Sequence, residues 1–207
     1  MSFKLPKLYA ITDARLSGLS HAEQVLRLGR GGARLIQLRE KQRGAREFFP
    51  EAEAALSAAR ALGVRLIIND RVDVALALGA DGVHLGQDDM PPEAARRILG
   101  ERAVIGFSTH NLQQALAASS LPVDYLALGP IFPTSSKENP DPTVGLEGLR
   151  RVREAVPHLP LVAIGGITPE NAQAALDAGA DSLAVISALL ADSAQIEART
   201  KDWIARF

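Results

Sequence analysis

Short apolar runs alternate with longer amphipathic stretches from one end of the chain to the other. The runs read as strands at Leu8–Thr12, Leu35–Leu38, Arg65–Asn69, Gly82–Leu85, Val104–Ser108, Tyr125–Leu128, Leu161–Ile164 and Ser182–Val185. The stretches around them carry the spacing of helices near Ser20–Arg30, Ala45–Leu62, Val72–Leu78, Pro91–Leu99, Asn111–Ser119, Leu146–Ala155, Thr168–Ala178 and Ser193–Ile204. Eight strands and eight helices in strict alternation predict parallel strands joined by right-handed helical crossovers.

Local signals agree. Thr168-Pro169 places a capping oxygen ahead of a proline at a first helical position, and Pro91-Pro92 suits a helix start. Gly63 and Gly179 stand where helices end in a left-handed residue. A weak repeat introduces every second strand: Gly32-Ala33-Arg34-Leu35, Gly79-Ala80-Asp81-Gly82, Pro122-Val123-Asp124-Tyr125 and Gly179-Ala180-Asp181-Ser182. A barrel whose interior layers draw on alternate strands has that period, although such a turn also serves an open parallel sheet. The expected fold is α/β, a (β/α)8 TIM barrel forming a single domain over residues 1–207. At this length its connections must be short, so the stretch from Gly129 to Gly145 stands out as a functional loop.

Composition narrows the function. Lys plus Arg number 23 against 24 for Asp plus Glu, which leaves no polycationic footprint for nucleic acid or an acidic membrane. The absence of cysteine excludes thiol nucleophiles, disulfides and thiolate metal sites. Met1 to Ile11 lacks a signal-peptide pattern, and no window reaches the roughly 18 apolar residues of a membrane span. The expectation is a soluble, cytoplasmic protein with no nucleic-acid or membrane partner. A homo-oligomer is compatible with all of this.

Chemistry is expected at the strand C-termini, which form the active-site face of such barrels. Gln37, Arg39 and Lys41 share one face if the second strand stays extended, and its two cations suit a phosphate or diphosphate; a solvated basic turn is the plain alternative. Asp70 ends the third strand, and Asp88-Asp89 follow the fourth. Carboxylates on neighbouring strands, without His or Cys nearby, can share a Mg²⁺ ion, but Asp88 or Asp89 would equally serve as helix N-terminal charge. Ser108 closes the fifth strand with a hydroxyl, while His110 and the in-strand His84 read as structural. Gly129-Pro130-Ile131-Phe132-Pro133-Thr134-Ser135-Ser136-Lys137 has an anion-gripping composition, shared with many flexible loops. Gly165-Gly166 after strand seven and Ile186-Ser187 after strand eight occupy the positions where these barrels bind phosphate through backbone N–H groups. No loop order suggests a Ser–His–Asp triad.

Gln37-Leu38-Arg39-Glu40-Lys41, Ile68-Asn69-Asp70-Arg71-Val72-Asp73, Gly82-Val83-His84-Leu85-Gly86-Gln87-Asp88-Asp89, Gly129-Pro130-Ile131-Phe132-Pro133-Thr134 and Ile164-Gly165-Gly166-Ile167 together resemble the thiamine-phosphate synthase family, in order and across nearly the whole chain. The resemblance implies two small phosphorylated substrates, a hydroxymethylpyrimidine diphosphate and a thiazole phosphate, joined to give thiamine phosphate and diphosphate. By the same resemblance Gln37, Leu38, Arg39, Glu40, Lys41, Asn69, Ser108 and Lys137 hold the pyrimidine diphosphate. Arg39, Ser108 and Lys137 are the catalytic groups on the departing diphosphate. Asp70 and Asp89 hold Mg²⁺, and Thr134, Ser135, Ser136, Gly166, Ile186 and Ser187 hold the thiazole phosphate. Ser136 stands where many relatives have Thr, and Glu138 to Pro142 is slightly long and proline-bearing.

Two other readings compete. Thiazole tautomerases share the barrel, but they typically lack the metal carboxylates and carry a His where this chain has Pro130. A non-catalytic sensor of phosphorylated ligands would bind without releasing diphosphate.

Overall fold

The strands β1 (Leu8–Ile11), β2 (Leu35–Leu38), β3 (Arg65–Asn69), β4 (Gly82–Leu85), β5 (Val104–Thr109), β6 (Tyr125–Leu128), β7 (Leu161–Ile164) and β8 (Ser182–Val185) pair in chain order, all parallel. β1 meets β8 through Leu8↔Leu183, Tyr9↔Ala184 and Ala10↔Val185. The sheet is therefore closed, as the alternation predicts. These features come from a computed structural model that describes residues 4–134 and 141–207.

Burial explains why the strands read as continuous apolar runs: both faces of each strand are covered. Along β1, Leu8 and Ala10 join the core between sheet and helices, while Tyr9 and Ile11 join a separate cluster inside the barrel. The outer core is built largely of aliphatic strand residues against Ala-rich helix faces. Ala52, Ala55 and Ala59 of α3 are each fully buried, and such small side chains let helix and sheet approach closely.

The helices are α1 (Ala14–Ser17), α2 (His21–Arg30), α3 (Ala45–Ala61), α4 (Val72–Leu78), α5 (Pro92–Leu99), α6 (Leu112–Ala118), α7 (Gly145–Ala155), α8 (Ala172–Asp177), α9 (Ser187–Leu190) and α10 (Ile196–Arg206). Two of them, α1 and α9, carry no sequence expectation, because four residues are too few to show a period. Asp13 caps α1 by accepting the Leu16 N–H at 2.9 Å. The helix expected from Thr168 starts only at Ala172. Asn171 explains the delay: its Oδ1 accepts the Thr168 N–H and its Nδ2 donates to the Gly166 carbonyl, both at 2.8 Å, holding residues 168–171 in a turn. The last helix likewise begins as a 3₁₀ turn, Ser193–Gln195, before α10.

The repeat has a structural cause. Asp81, Asp124 and Asp181 sit at the entry to β4, β6 and β8, and each carboxylate accepts a backbone N–H of the preceding strand: Leu66 at 2.9 Å, Ile105 at 2.7 Å and Leu161 at 2.8 Å. Each of these aspartates also donates its own backbone N–H to the carbonyl of that same residue. Three such clamps fix strand register at the N-terminal end of the barrel, away from the loops that carry the chemistry. In the first copy Arg34 replaces Asp and contributes only a backbone carbonyl, to Arg65 N–H.

Candidate active site

The C-terminal end of the barrel interior is divided by polarity. β2, β3, β4 and β5 present Gln37, Asn69, His84 and Ser108, while Ile11, Ala127, Ile164 and Ile186 come from the strands and strand ends across from them. Gln37, Asn69 and His84 are 4%, 7% and 6% exposed, so each needs a partner. Asn69 Nδ2 is buried without one. A buried donor without a partner at a barrel mouth is an offer to a ligand.

Gln37, His84 and Ser108 are joined through two buried tyrosines. Gln37 Nε2 donates to Tyr9 OH at 3.0 Å, Tyr9 OH and Tyr125 OH lie 2.8 Å apart, and Tyr125 OH meets His84 Nδ1 at 2.9 Å. His84 Nε2 then lies 2.9 Å from Ser108 Oγ. Burial pushes the imidazole down to about 4 and raises both phenols above their ordinary value, so every group in the chain is neutral at pH 7. The sequence reading of His84 as structural is half of the picture, since it also touches Ser108. Neither tyrosine was marked by the sequence, because each sits within an apolar strand run.

The carboxylates converge. Asp70 follows β3 with φ +61, the one non-glycine residue with positive φ among those described; aspartate tolerates this region better than most residues. Its backbone N–H is anchored to the His84 carbonyl at 2.8 Å. Asp89, in the loop after β4, lies near enough to the Asp70 carboxylate to act on its ionisation. Asp89 Oδ2 also accepts the Gly86 N–H at 2.7 Å, so its position is fixed. Desolvation and the neighbouring Asp89 raise the Asp70 pKa, against an opposing pull from Lys41. Two oxygen donors pressed together at such a cost fit a hard divalent cation. Asp88 is exposed and Asp89 only half-buried, and it is Asp89 that faces Asp70.

The cations fan out instead of sharing one face. β2 ends at Leu38, so the alternation that would align Gln37, Arg39 and Lys41 stops there. Gln37 points inward to Tyr9, Arg39 Nη1 reaches Asp13 Oδ2 at 3.4 Å, and Lys41 Nζ reaches Asp70 Oδ2 at 2.5 Å. Side-chain direction limits how two of the expected residues could meet a substrate. Leu38 is fully buried in the outer core, so it can meet a ligand only through its backbone. Glu40 turns away from the mouth: its Oε2 lies 3.5 Å from His21 Nε2 and 3.8 Å from Arg43 Nε. Donor atoms of His21, Glu40 and Glu51 lie within 4.8 Å of one another, but Arg43 pairs with both glutamates and neutralises the cluster.

On the other side of the mouth, the loops after β6 and β7 lock together. Ile131 and Phe132 donate their N–H groups to Ile164 and Gly165 carbonyls at 2.8 and 3.0 Å. Gly165 and Gly166 have φ of +94 and +64, and a methyl group on Gly166 would lie 2.5 Å from the Pro133 carbonyl. The close approach demands glycine and sets Thr134 beside the Gly166 turn. Pairing of Ile164 with Ala184 continues upward to Ile186 and Ser187, where α9 starts and first-turn N–H groups have no intrahelical acceptor. Ser135, Ser136 and Lys137 lie outside the described residues. His110, read as structural, holds the Gly129 carbonyl at 2.7 Å.

A sequence model of the family described as thiamine monophosphate synthase matches residues 8–189. This chain belongs to that family. The thiamine-phosphate synthase of Koribacter versatilis is 51% identical over 199 residues, covering 93% of this chain and 92% of the relative. That of Chloroflexus aurantiacus is 49% identical over 186 residues, covering 89% and 85%. Among solved structures, the thiamine phosphate pyrophosphorylase from Pyrococcus furiosus superposes with a TM-score of 0.85 at 40% identity, covering 97% of this chain and 95% of that one. As a thiamine monophosphate synthase family member the chain is a transferase, and the resemblance of its strand-end motifs is borne out. Among the described residues no helix is long and apolar enough to cross a membrane.

Proposed function

We propose that this chain couples a hydroxymethylpyrimidine diphosphate to a thiazole phosphate, releasing diphosphate, with Mg²⁺ held by Asp70 and Asp89. The convergence of these two carboxylates beside Lys41, at the rim of a polar half-pocket, is the observation that carries this reading. The donor set fits the ion: hard oxygens, one of them raised in pKa by its acidic neighbour. When bound, Mg²⁺ would neutralise the diphosphate and ease its departure.

The protein's own groups divide the remaining work. Arg39 and Lys41 stand on either side of Gln37 at the mouth and supply fixed positive charge for the leaving diphosphate, with Lys137 contributing from the loop after β6. Ser108 donates to the same anion. Gln37 and Asn69 bind the polar edge of the pyrimidine, and Ile11, Ala127, Ile164 and Ile186 supply an apolar surface for its ring and the thiazole. Gly166 and Ser187, with Thr134, Ser135 and Ser136, hold the thiazole phosphate at the opposite rim. The thiazole nitrogen then attacks the pyrimidine methylene carbon as its bond to the diphosphate oxygen breaks; the exocyclic amine stabilises the positive charge. Binding both substrates side by side removes much of the entropic barrier, and no protein nucleophile is needed.

Both metal carboxylates and Pro130 are present, which favours this reading over a tautomerase. Mixing the two substrates with and without Mg²⁺ and measuring diphosphate tests it. Release requiring both substrates and the metal supports the proposal; ligand binding with no release supports a sensor instead.

A further inference from the structure

The buried chain from Gln37 to Ser108 has a direction. Gln37 donates an amide N–H to Tyr9 OH, which leaves the Tyr9 proton available to Tyr125 OH 2.8 Å away. The Tyr125 proton is then committed to His84 Nδ1. A neutral imidazole accepting at Nδ1 carries its proton on Nε2, which donates to Ser108 Oγ. Followed along these contacts, each hydroxyl hands its one proton to the next group. The two ends are thereby fixed: Gln37 keeps its amide oxygen as acceptor, and Ser108 keeps its own proton to give away.

The sequence makes room for this chain. Gly106, in the middle of β5, is where a methyl group would overlap the Tyr125 ring and hydroxyl and crowd His84 Nδ1. The imidazole and the Tyr125 ring stack at 5.6 Å with an interplanar angle of 23°, and Tyr9 meets Tyr125 edge-on at 5.8 Å. Glycine weakens a strand interior, and the contact it permits here is this one. Buried polar chains rigidify when fully satisfied, and this one crosses the barrel from β2 to β5 by way of β1, β6 and β4.

We propose that Tyr125, together with Tyr9 and His84, is a positioning unit that orders hydrogen bonds one way, so that Gln37 accepts from the pyrimidine's amine while Ser108 donates to the diphosphate of the same substrate. This rests on the functional reading above. The chain couples the two ends: reversing it would point the Ser108 proton at His84, leave the Ser108 oxygen facing the anion with lone pairs only, and turn the Gln37 amide around. Substrate carrying a donor at one end and an anion at the other selects the productive direction.

Tyr125→Phe tests the proposal because it deletes one hydroxyl, keeps the ring, and removes no group assigned to substrate. The expected result is a fall of about tenfold in kcat/KM for the pyrimidine diphosphate with the KM for thiazole phosphate unchanged. ¹⁵N spectra of the His84 side chain supply the second readout. Wild-type protein should hold a single tautomer protonated at Nε2, and the variant should lose that preference. Wild-type His84 protonated at Nδ1, or a folded Tyr125→Phe enzyme with unaltered kcat/KM for the pyrimidine substrate, would overturn the proposal. If Tyr125→Phe fails to fold, Tyr9→Phe breaks the same chain one link earlier and is expected to give the same kinetic split. Failure of the functional reading looks different: wild-type protein would release no diphosphate, while the tautomer still reports the chain's direction.

Discussion

Lys41 holds its ammonium 2.5 Å from Asp70 Oδ2, on the carboxylate that Asp89 also approaches. The lysine thus offsets part of the cost of pressing two acids together. Asp70 must be ionised to bind a cation, and its pKa is raised by desolvation first and by Asp89. Activity should therefore fall as pH drops through that raised pKa. In Lys41→Met the opposing pull is gone, so the acidic limb of the kcat/KM profile should move to higher pH, with a lower plateau. An acidic limb at the same pH in enzyme and variant would separate Asp70 from the rate.

The same strain gives a stability prediction. An acid whose folded pKa lies above its unfolded value costs stability once pH rises past both, because the folded state resists the ionised form. Asp70→Asn removes that cost and keeps a residue tolerant of positive φ. The lost pair with Lys41 is half-exposed and worth little. The metal-free variant is expected to melt higher than the metal-free parent near neutral pH. It should lose most activity, and Mg²⁺ should raise the Tm of the parent but not of the variant. A lower Tm for metal-free Asp70→Asn would contradict the charge argument.

Gly166 and Gly63 form a matched pair. Both have φ near +63, but only Gly166 has a carbonyl in the way of a side chain; Gly63 faces open space. Alanine at 63 should cost about 1 kcal/mol of stability and leave the kinetics alone. Alanine at 166 must push back the Phe132–Pro133 segment, and KM for the thiazole phosphate should rise by about tenfold or more. Equal kinetics in the two variants would remove the loop after β7 from the phosphate site.

The N-terminal clamps should affect folding only. Asp124 Oδ2 accepts both the Ile105 N–H at 2.7 Å and Arg96 Nη2 at 2.8 Å. Asp124→Ala leaves both donors without that acceptor, a loss of roughly 1–3 kcal/mol. Urea unfolding should register it, with kcat and both KM values within about twofold of the parent. A large kcat defect in a folded Asp124→Ala enzyme would show coupling between the two barrel ends.

All eight strands were legible because the barrel buries both of their faces, leaving short apolar runs at regular intervals along the chain. Helix ends were legible where backbone chemistry is local, as at Gly63 and Gly179, which do adopt positive φ. The start of α8 was not, since Asn171 bonds back to Gly166 and Thr168 and overrides the Thr-Pro signal. In the site, Asp70 and Asp89 could be read because strand order alone brings neighbouring strand ends together. The direction of Glu40 could not, because it depends on His21 and Arg43 after the strand has ended. Tyr9 and Tyr125 were hidden for the opposite reason: their rings pass for core, and only the folded barrel brings their hydroxyls together.

The most direct test of a shared mouth is a crystal structure of the protein with thiamine phosphate, diphosphate and Mn²⁺ in place of Mg²⁺, with the metal located by its anomalous signal. The account predicts a peak between Asp70 and Asp89, diphosphate between it and Arg39, and the product's phosphate at Gly166 and Ser187. A peak at His21, Glu40 and Glu51 instead, or diphosphate bound away from Arg39 and Lys41, would contradict it.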